Sequence, residues 1–183
     1  DLHSFPTRRS SDLALIDIVK QGKALYVGIS KYPPAQAKIA YEMLRAAGVP
    51  CLISQYRYSM FDRTVEEKSL PLAAEQGSGF IAFSPLAQGL LTKKYLHGIP
   101  EHSRAARSTG FLKVDQVTED KVGKARRLDE IAARRGQTLA EMALAWVLKD
   151  ERMTSVIVGT SSVKQLADNL HALDNLNFTN EEL

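Results

Sequence analysis

Four short apolar segments, interleaved with segments of helical periodicity, constrain the fold of this chain more than any other feature of its sequence. The strand-like segments are 24–30, 52–56, 79–84 and 155–158. Their apolar residues are continuous rather than alternating with polar ones, which is typical of parallel strands covered by helices. Repeated pairing of a strand with a following helix predicts an α/β fold whose parallel sheet contains about four βα units.

Helical segments follow the strand-like ones, and capping motifs mark two of their starts. The predicted helices are 34–47, 65–76, 118–135, 138–149 and a last helix that begins after Ser162. Thr138 with Glu141, and Ser162 with Gln165, have the spacing of a capping box. Residues 88–117 show no clear period and are predicted to form a long loop. In the last helix the apolar residues that share one face are Val163, Leu166, Leu170 and Leu173.

Two turns that follow strand-like segments have the composition of an anion-binding site. The turn that begins at Gly159 leads into a helix start, so backbone N–H groups and the positive end of a helix dipole converge there. Spacing alone favours an ordinary capped turn. Ser84-Pro85, however, ends the preceding strand and begins a second turn at 85–89. Because the loops after the last two strands of a barrel commonly form a phosphate site, the two turns together predict one.

The composition excludes several classes of protein. The formal net charge of +3 is small and its cations are scattered, which argues against nucleic acid as a partner. Cys51 is the only cysteine, so we expect no intrachain disulfide, no metal site of thiolates and a buried, hydrophobic role for this side chain. No apolar run approaches the roughly 18 residues of a membrane span. These features predict a protein of the reducing cytoplasm.

Residues 1–13, DLHSFPTRRSSDL, have no apolar period and resemble a short-read sequencing adapter translated in one frame. We therefore expect this segment to be foreign to the natural protein, and we assign residues 14–183 to one domain. The alternative is a genuine N-terminal arm. The two arginines and two aspartates of the segment cancel, so the net charge of the remainder is the same under both interpretations.

Four motifs, in order along the chain, carry a resemblance to a known family. They are GKALYVGISKY, LISQYRYSMFDR, FSPLAQGLLTKKY and VIVGTSSVKQLADNL. Together they resemble the aldo-keto reductases, most closely the branch that contains potassium-channel β subunits and bacterial glyceraldehyde 3-phosphate reductases. The resemblance runs from about Leu15 to the end of the chain. It implies the C-terminal half of a (β/α)8 TIM barrel, and reduction of a small-molecule carbonyl substrate with NADPH.

The resemblance also implies a set of cofactor-binding residues. Those implied at the nicotinamide are Ser30, Lys31, Gln55 and Phe83. Those implied along the pyrophosphate and the adenosine phosphate are Ser84, Leu86, Gln88, Lys94 and Arg104. Those implied at the adenosine half are Gly159, Ser161, Gln165, Asp168 and Asn169. A serine and a glutamine offer the donor and acceptor that a carboxamide needs, and phenylalanine offers a flat face for a ring. Each residue alone also fits an ordinary strand-end, core or surface position.

The chain departs from the family pattern in two respects. Many members have an asparagine at the position of Lys31. Many also place a lysine and an arginine, at the positions of Gly159 and Gln165, for the 2′-phosphate of NADPH. The closest branch lacks that pair too, so NADPH remains the expected cofactor, with NADH less favoured. The family's catalytic aspartate, tyrosine, lysine and histidine lie on the first four strands, so no catalytic residue is expected in this chain.

Two interpretations of the parent protein remain open. In the first, this chain is the cofactor-binding half of a carbonyl reductase, which combines hydride transfer with general acid catalysis. In the second, it belongs to a nucleotide-binding regulatory subunit of the channel-β type, in which cofactor occupancy matters rather than turnover. A phosphate-binding half of another barrel enzyme would require the order of the four motifs to be chance. The substrate and the oligomeric state are not predicted, because loops of the other half shape the pocket.

Overall fold

The computed structural model of the protein describes residues 6–107 and 111–183. Its helices are α1 (Pro6–Lys20), α2 (Pro34–Ala46), α3 (Ser69–Glu75), α4 (Glu119–Arg134), α5 (Leu139–Leu148) and α6 (Val163–Leu170). Its strands are β1 (Val27–Ser30), β2 (Cys51–Arg57), β3 (Gly79–Phe83) and β4 (Met153–Ile157). Short 3₁₀ turns occupy Ala87–Gly89, Lys93–Tyr95, Val114–Gln116 and His171–Asp174. None of the described helices combines the length and hydrophobicity that crossing a membrane requires.

The four strands form one parallel sheet in the order β1-β2-β3-β4, so each strand pairs with the next along the chain. Sequential parallel pairing through helical connections is the arrangement of part of a (β/α) barrel, and it confirms the predicted fold class. β1 and β2 pair from Val27 opposite Cys51 to Ser30 opposite Gln55, with an irregularity after Val27. Glycine is required at that irregularity, because a Cβ atom on Gly28 would lie 2.8 Å from the Ile53 carbonyl oxygen.

β1 begins later than the apolar segment predicts. Residues 24–26 lie outside the sheet, and the side chains of Leu25 and Tyr26 are exposed. The reason lies in the partner strand, where pairing begins at Cys51. The residue before it is Pro50, which has no N–H with which to extend the hydrogen-bond ladder. Burial then alternates along β1, so one of its faces is open, which differs from the double coverage that its sequence pattern predicts.

The described residues divide into two compact units. The first unit contains the described residues up to Tyr56, together with residues 64–81 and 152–154. The buried face of α2 is the one that its helical period predicts, with Ala37, Ala40, Tyr41 and Leu44. One hydrophobic core cluster of this unit consists of Ile16, Val27, Ile29, Ala37, Tyr41, Leu44, Val49 and Cys51. Burial of Cys51 confirms the hydrophobic role expected of it.

The second unit contains the described residues of 57–63, 82–151 and 155–183. α5 starts with a full capping box, which confirms the predicted motif. The Thr138 N–H donates to Glu141 Oε2 at 2.7 Å, and the Glu141 N–H donates to Thr138 Oγ1 at 3.2 Å. Leu139 and every residue from Met142 to Val147 are buried. α5 is apolar apart from Glu141 in its first turn, and it packs against α4, α6 and the 3₁₀ turn at His171–Asp174.

The segment predicted to be a long loop, 88–117, contributes to the core of the second unit. Its described residues form no regular element longer than a 3₁₀ turn, and residues 108–110 lie outside the described part. Nevertheless Leu90 and Tyr95 are buried and pack with Ala105 and Leu112 in one cluster. The sequence shows no period here because irregular backbone, rather than a helix or strand, turns these side chains inward.

The segment of expected foreign origin is partly helical. Residues 6–13 form the first half of α1, whereas the sequence predicts no element there. Asp12 is buried, and its carboxylate accepts a hydrogen bond of 3.0 Å from the Tyr32 hydroxyl. A helical conformation does not reveal where a segment comes from, so its foreign origin stays a prediction. Residues 1–5 of that segment lie outside the described residues.

Candidate cofactor-binding site

Four non-glycine residues in the described part of the chain have left-handed backbone conformations, and all lie in turns that follow strands. They are Lys31 (φ 58°) after β1, and Ser84 (φ 55°), Ala87 (φ 48°) and Gln88 (φ 62°) after β3. Such conformations cost about 1–3 kcal/mol each and persist where the surrounding structure enforces them, most often at binding sites. Three of the four are residues that the family resemblance assigns to the cofactor.

The ends of β1 and β2, in the first unit, bring together the residues implied at a carboxamide. Ser30 lies opposite Gln55 in the register of the two strands, and the Lys31 N–H donates to the Gln55 carbonyl oxygen at 3.0 Å. Paired strands lie about 5 Å apart, so one planar group can contact both the hydroxyl and the amide. The left-handed backbone of Lys31 suits asparagine better than lysine, which explains the asparagine of many family members.

Tyr56 stabilises the segment that follows Lys31, and the sequence analysis did not identify it. Its hydroxyl donates to the Tyr32 carbonyl oxygen at 2.8 Å, and its ring stacks on Phe80 with centroids 5.1 Å apart. Burial, with a smaller contribution from Tyr41, raises the pKa of Tyr56 to about 12. The phenol therefore remains a protonated donor at neutral pH. Its signal in the sequence is a tyrosine within the second apolar strand.

The turn after β3, in the second unit, gathers residues from three separate segments. Gln88 Nε2 donates to Ser84 Oγ at 2.8 Å, and the Arg104 guanidinium donates to Gln88 Oε1 at 3.4 Å. A Cβ atom on Gly159 would lie 4.0 Å from the same guanidinium, so the turn after β4 also reaches it. A guanidinium beside hydroxyl and amide groups is well suited to a phosphate. The structure thus brings together four of the residues implied along the cofactor.

The backbone of this turn offers fewer N–H groups to a ligand than its sequence predicts. The Leu86 carbonyl oxygen accepts from the N–H groups of Gly89 at 2.8 Å and Leu91 at 3.2 Å, and the Ala87 N–H donates to the Ser84 carbonyl oxygen at 2.9 Å. These N–H groups are used inside the turn, so they do not point at a ligand. The polar contacts that the turn offers to a phosphate therefore come largely from side chains.

Tyr95 positions the basic residues of the long loop, and the sequence analysis missed it as well. Tyr95 is 1% exposed, and its hydroxyl accepts from the Ala105 N–H at 3.4 Å. A Cβ atom on Gly89 would lie 3.4 Å from the Tyr95 ring. Lys94 and Arg104 are the sequence neighbours of Tyr95 and Ala105. Both basic side chains are exposed while the backbone next to them is fixed. A lone aromatic residue beside two lysines was the available signal.

Phe83, at the end of β3, is partly buried and has a cation beside its ring. The guanidinium carbon of Arg57 lies 5.9 Å from the ring centroid, at the outer limit of a cation–π contact. A cleft of about 200 Å³ is lined by Arg57, Ser84 and Gln88, among others. This cleft therefore adjoins the turn that carries the residues implied along the pyrophosphate.

The start of α6 confirms one half of the predicted capping box and corrects the other. Ser162 Oγ accepts from the Gln165 N–H at 3.2 Å, as predicted. The reciprocal bond does not return to Ser162, because Gln165 Oε1 accepts from the N–H and hydroxyl of Ser161, at 2.9 and 3.0 Å. Ser161 and Gln165, both implied at the adenosine half, are therefore in direct contact.

The rest of α6 is largely exposed, but the last two residues implied at the adenosine half, Asp168 and Asn169, are partly buried. Lys164 Nζ donates to both oxygens of the Asp168 carboxylate at 2.9 Å, and Asn169 is partly buried beside it. Exposed pairs of this kind contribute at most about 1 kcal/mol, so a ligand can displace this one. The four apolar side chains predicted to share one face of this helix are all exposed; they are Val163, Leu166, Leu170 and Leu173. Because α6 ends at Leu170, Leu173 lies in the 3₁₀ turn His171–Asp174.

Comparison with known proteins identifies the family to which this chain belongs. The sequence model of the aldo/keto reductase family matches residues 13–183. The chain belongs to the aldo/keto reductase family, whose members use nicotinamide cofactors. The family predicted from the four motifs is therefore confirmed.

Two relatives from Escherichia coli carry the same description, L-glyceraldehyde 3-phosphate reductase. The protein of strain O157:H7 is 48% identical over 174 residues, which cover 93% of this chain and 50% of that protein. The protein of strain K12 is 46% identical over 174 residues, with the same shares covered. The chain thus spans about half the length of the curated relatives that it matches.

Proposed function

We propose that this chain is the cofactor-binding half of a reductase that converts small aldehydes or ketones into alcohols with NADPH. The observation that carries the proposal is the meeting of Ser84, Gln88, Arg104 and Gly159, which come from two turns and a loop remote in sequence. Family membership supports the same conclusion. The description of the two relatives as aldehyde-phosphate reductases supports a small carbonyl compound as the substrate.

In this proposal the residues of the chain bind and orient, and the other half of the protein completes the chemistry. When bound, the reduced nicotinamide supplies a hydride to the carbonyl carbon. Ser30 and Gln55 hold the carboxamide, Phe83 supports the ring, and Gln88 orients the Arg104 guanidinium toward the phosphates. Each of these groups reduces the freedom of the cofactor, so that its reactive face stays directed at the substrate.

The proton donor belongs, in our proposal, to the half of the protein outside this chain. A general acid works best when its pKa lies near the working pH. Burial raises the pKa of both Tyr41 and Tyr56, which makes these phenols weaker acids. Both hydroxyls also take part in hydrogen bonds with other residues of the first unit. They therefore stabilise the fold and do not supply the proton.

The choice of NADPH over NADH is supported by the position of one cation. A 2′-phosphate needs a positive group at the adenosine end of the site. Arg104 lies beside Gly159 at that end, whereas Lys164 is held by Asp168. A cytoplasmic location is part of the proposal as well, and the single buried cysteine supports it.

The proposal is tested on a full-length protein, which we call the chimaeric reductase. Residues 14–183 are joined to the half of the O157:H7 relative that this chain does not match. NADPH binding is followed by fluorescence titration, and activity by NADPH oxidation with 4-nitrobenzaldehyde. We expect binding and turnover by the chimaeric reductase. We expect no turnover by residues 14–183 alone, because the proton donor is missing.

Two arginine variants sharpen the test. Arg104→Gln removes a charge-assisted hydrogen bond to phosphate, so NADPH affinity should fall about 10- to 100-fold. Arg107→Gln removes another exposed charge from the same segment and should leave affinity within about twofold. NADPH binding without turnover of any aldehyde would favour the regulatory subunit. Absence of NADPH binding by a folded chimaera, or turnover by the isolated chain, would overturn the proposal.

A further inference from the structure

A cleft of about 570 Å³ lies in the second unit beside α4, and we call it the α4 cleft. Its lining includes Arg127, Leu128 and Ile131 of α4, Trp146 of α5 and Met60 after β2. The volume is within the 300–1,000 Å³ that small-molecule sites occupy. None of the residues implied at the cofactor is among the described residues that line it. The lining of the α4 cleft therefore differs from that of the proposed cofactor site.

One part of the lining of the α4 cleft is apolar. Leu128, Ile131, Met60 and Phe61 are partly buried, and they pack against one hydrophobic cluster of the second unit. Each of these side chains therefore keeps some apolar surface in contact with water. An apolar group bound in the cleft would remove that surface, and its own, from water, which favours binding.

The charged part of the lining has more cations than anions. The cations are Arg63, Lys121, Lys124 and Arg127, and the carboxylates are Asp120 and Glu182. Both carboxylates already have a cationic partner. Lys124 Nζ lies 2.7 Å from Asp120 Oδ2, and Arg135 Nη1 lies 2.6 Å from Glu182 Oε2. The lining therefore carries positive charge that its own carboxylates do not balance, and this charge attracts an anion.

Arg127 is the cation of the α4 cleft best placed to bind a ligand. It is exposed, and its side chain forms no ion pair with the described residues. The other cations are more engaged, because the Arg63 guanidinium carbon lies 5.1 Å from the centre of the Trp146 ring, and Lys121 Nζ donates to the Gln116 carbonyl oxygen at 3.2 Å. A guanidinium can bind a carboxylate through two parallel hydrogen bonds.

We propose that the α4 cleft is a second ligand site, which binds a small amphiphilic anion with an apolar body and one carboxylate. The apolar body contacts Leu128 and Ile131, and the carboxylate pairs with Arg127. A simple inorganic anion would leave the apolar lining in water, and a neutral apolar molecule would leave the positive charge unmatched. The proposal goes beyond the proposed function and does not depend on it, because it requires no bound cofactor.

The test measures three matched probes on the chimaeric reductase by isothermal titration calorimetry. The probe 1-naphthoate has an apolar body and a carboxylate, 1-naphthylmethylammonium has a similar body with the opposite charge, and acetate has the carboxylate alone. We expect 1-naphthoate to bind at least about tenfold more tightly than either of the other two. Phe61 and Lys121 line the 200 Å³ cleft as well, so the measurement is repeated with NADPH present. The affinity for 1-naphthoate should then stay within about twofold, because NADPH occupies other residues.

Three variants locate the carboxylate of the probe. Arg127→Glu reverses the charge that we assign to it and should weaken 1-naphthoate binding about 5- to 20-fold. Arg127→Met keeps the apolar stem and should weaken it less, about 2- to 5-fold. Arg134→Glu is the matched control, because Arg134 is also an exposed arginine of α4 but does not line the cleft. It should leave the affinity within about twofold. Circular dichroism shows whether each variant is folded.

The other outcomes overturn the second ligand site. Absence of 1-naphthoate binding, or equal binding of all three probes, would show that the α4 cleft does not recognise an amphiphilic anion. Equal weakening by Arg127→Glu and Arg134→Glu would reduce the effect to the net charge of the protein. Displacement of 1-naphthoate by NADPH would place the probe in the cofactor site. If a folded chimaera binds 1-naphthoate as expected but does not bind NADPH, the proposed function fails and the second ligand site stands.

Discussion

The left-handed backbone at Gln88 allows stability and cofactor binding to be separated by two substitutions at one position. Gln88→Ala removes the hydrogen bond from Nε2 to Ser84 Oγ, 2.8 Å in length, and retains a Cβ atom at φ 62°. A bond of this kind contributes about 0.5–1.5 kcal/mol to the free energy of unfolding. The bond from Arg104, at 3.4 Å and exposed, adds little. We therefore expect the alanine variant to lose about 1 kcal/mol.

Gln88→Gly loses the same hydrogen bond but relieves the strain of the left-handed backbone at this position. A left-handed conformation costs about 1–2 kcal/mol for a residue with a Cβ atom and almost nothing for glycine. The greater freedom of glycine in the unfolded chain offsets about 0.4–1 kcal/mol of that relief. The glycine variant should therefore be more stable than the alanine variant by about 0.5–1 kcal/mol. Both variants should bind NADPH more weakly than the parent, because neither can orient Arg104.

Urea unfolding and NADPH titration of the chimaeric reductase measure the two effects separately. Ala87→Gly is the matched control, because Ala87 also has a positive φ, 48°, but offers no polar side chain to the site. It should gain about 0.5–1 kcal/mol in stability. If the Gln88→Gly variant is less stable than the Gln88→Ala variant, the claim that the left-handed backbone at Gln88 is strained is refuted. Unchanged NADPH affinity in both variants would refute the role of Gln88 in the site.

Two further predictions concern the nicotinamide end and the exposed edges. Phe83→Ala should weaken NADPH binding by a few-fold to about tenfold, since ring stacking is worth about 0.5–1.5 kcal/mol. The ligand 2′,5′-ADP lacks the nicotinamide, so its affinity should not change. Equal weakening of both ligands would mean that Phe83 is a core residue and not part of the cofactor site. Residues 14–183 alone should self-associate, because β1 and β4 are the edges of the sheet and the apolar face of α6 is exposed. The pair Leu166→Glu with Leu170→Glu should reduce that association in sedimentation analysis, and a parent chain that stays monomeric would contradict the reasoning.

Local sequence patterns determined the elements of this fold, and the structure confirms them where the signals span only a few residues. The capping box of Thr138 and Glu141 forms as predicted, and α2 buries the face that its period predicts. Residues three or four apart on a helix are neighbours whatever the tertiary structure, so their spacing is sufficient evidence. Identification of the family from four ordered motifs succeeded for a related reason, because each motif is a contiguous strand end or turn.

Tertiary structure alone decided how the site is assembled. Arg104 meets Gln88 across an aperiodic segment, and no spacing rule predicts that contact. Tyr95 holds this segment because its ring is buried and its hydroxyl accepts from Ala105, and a buried tyrosine has no signature of its own in the sequence. The left-handed turn at Ser84 and Gln88 also escaped prediction, since neither residue type favours it. Such contacts and conformations depend on packing between residues that are distant along the chain, and that packing exists only in the folded protein.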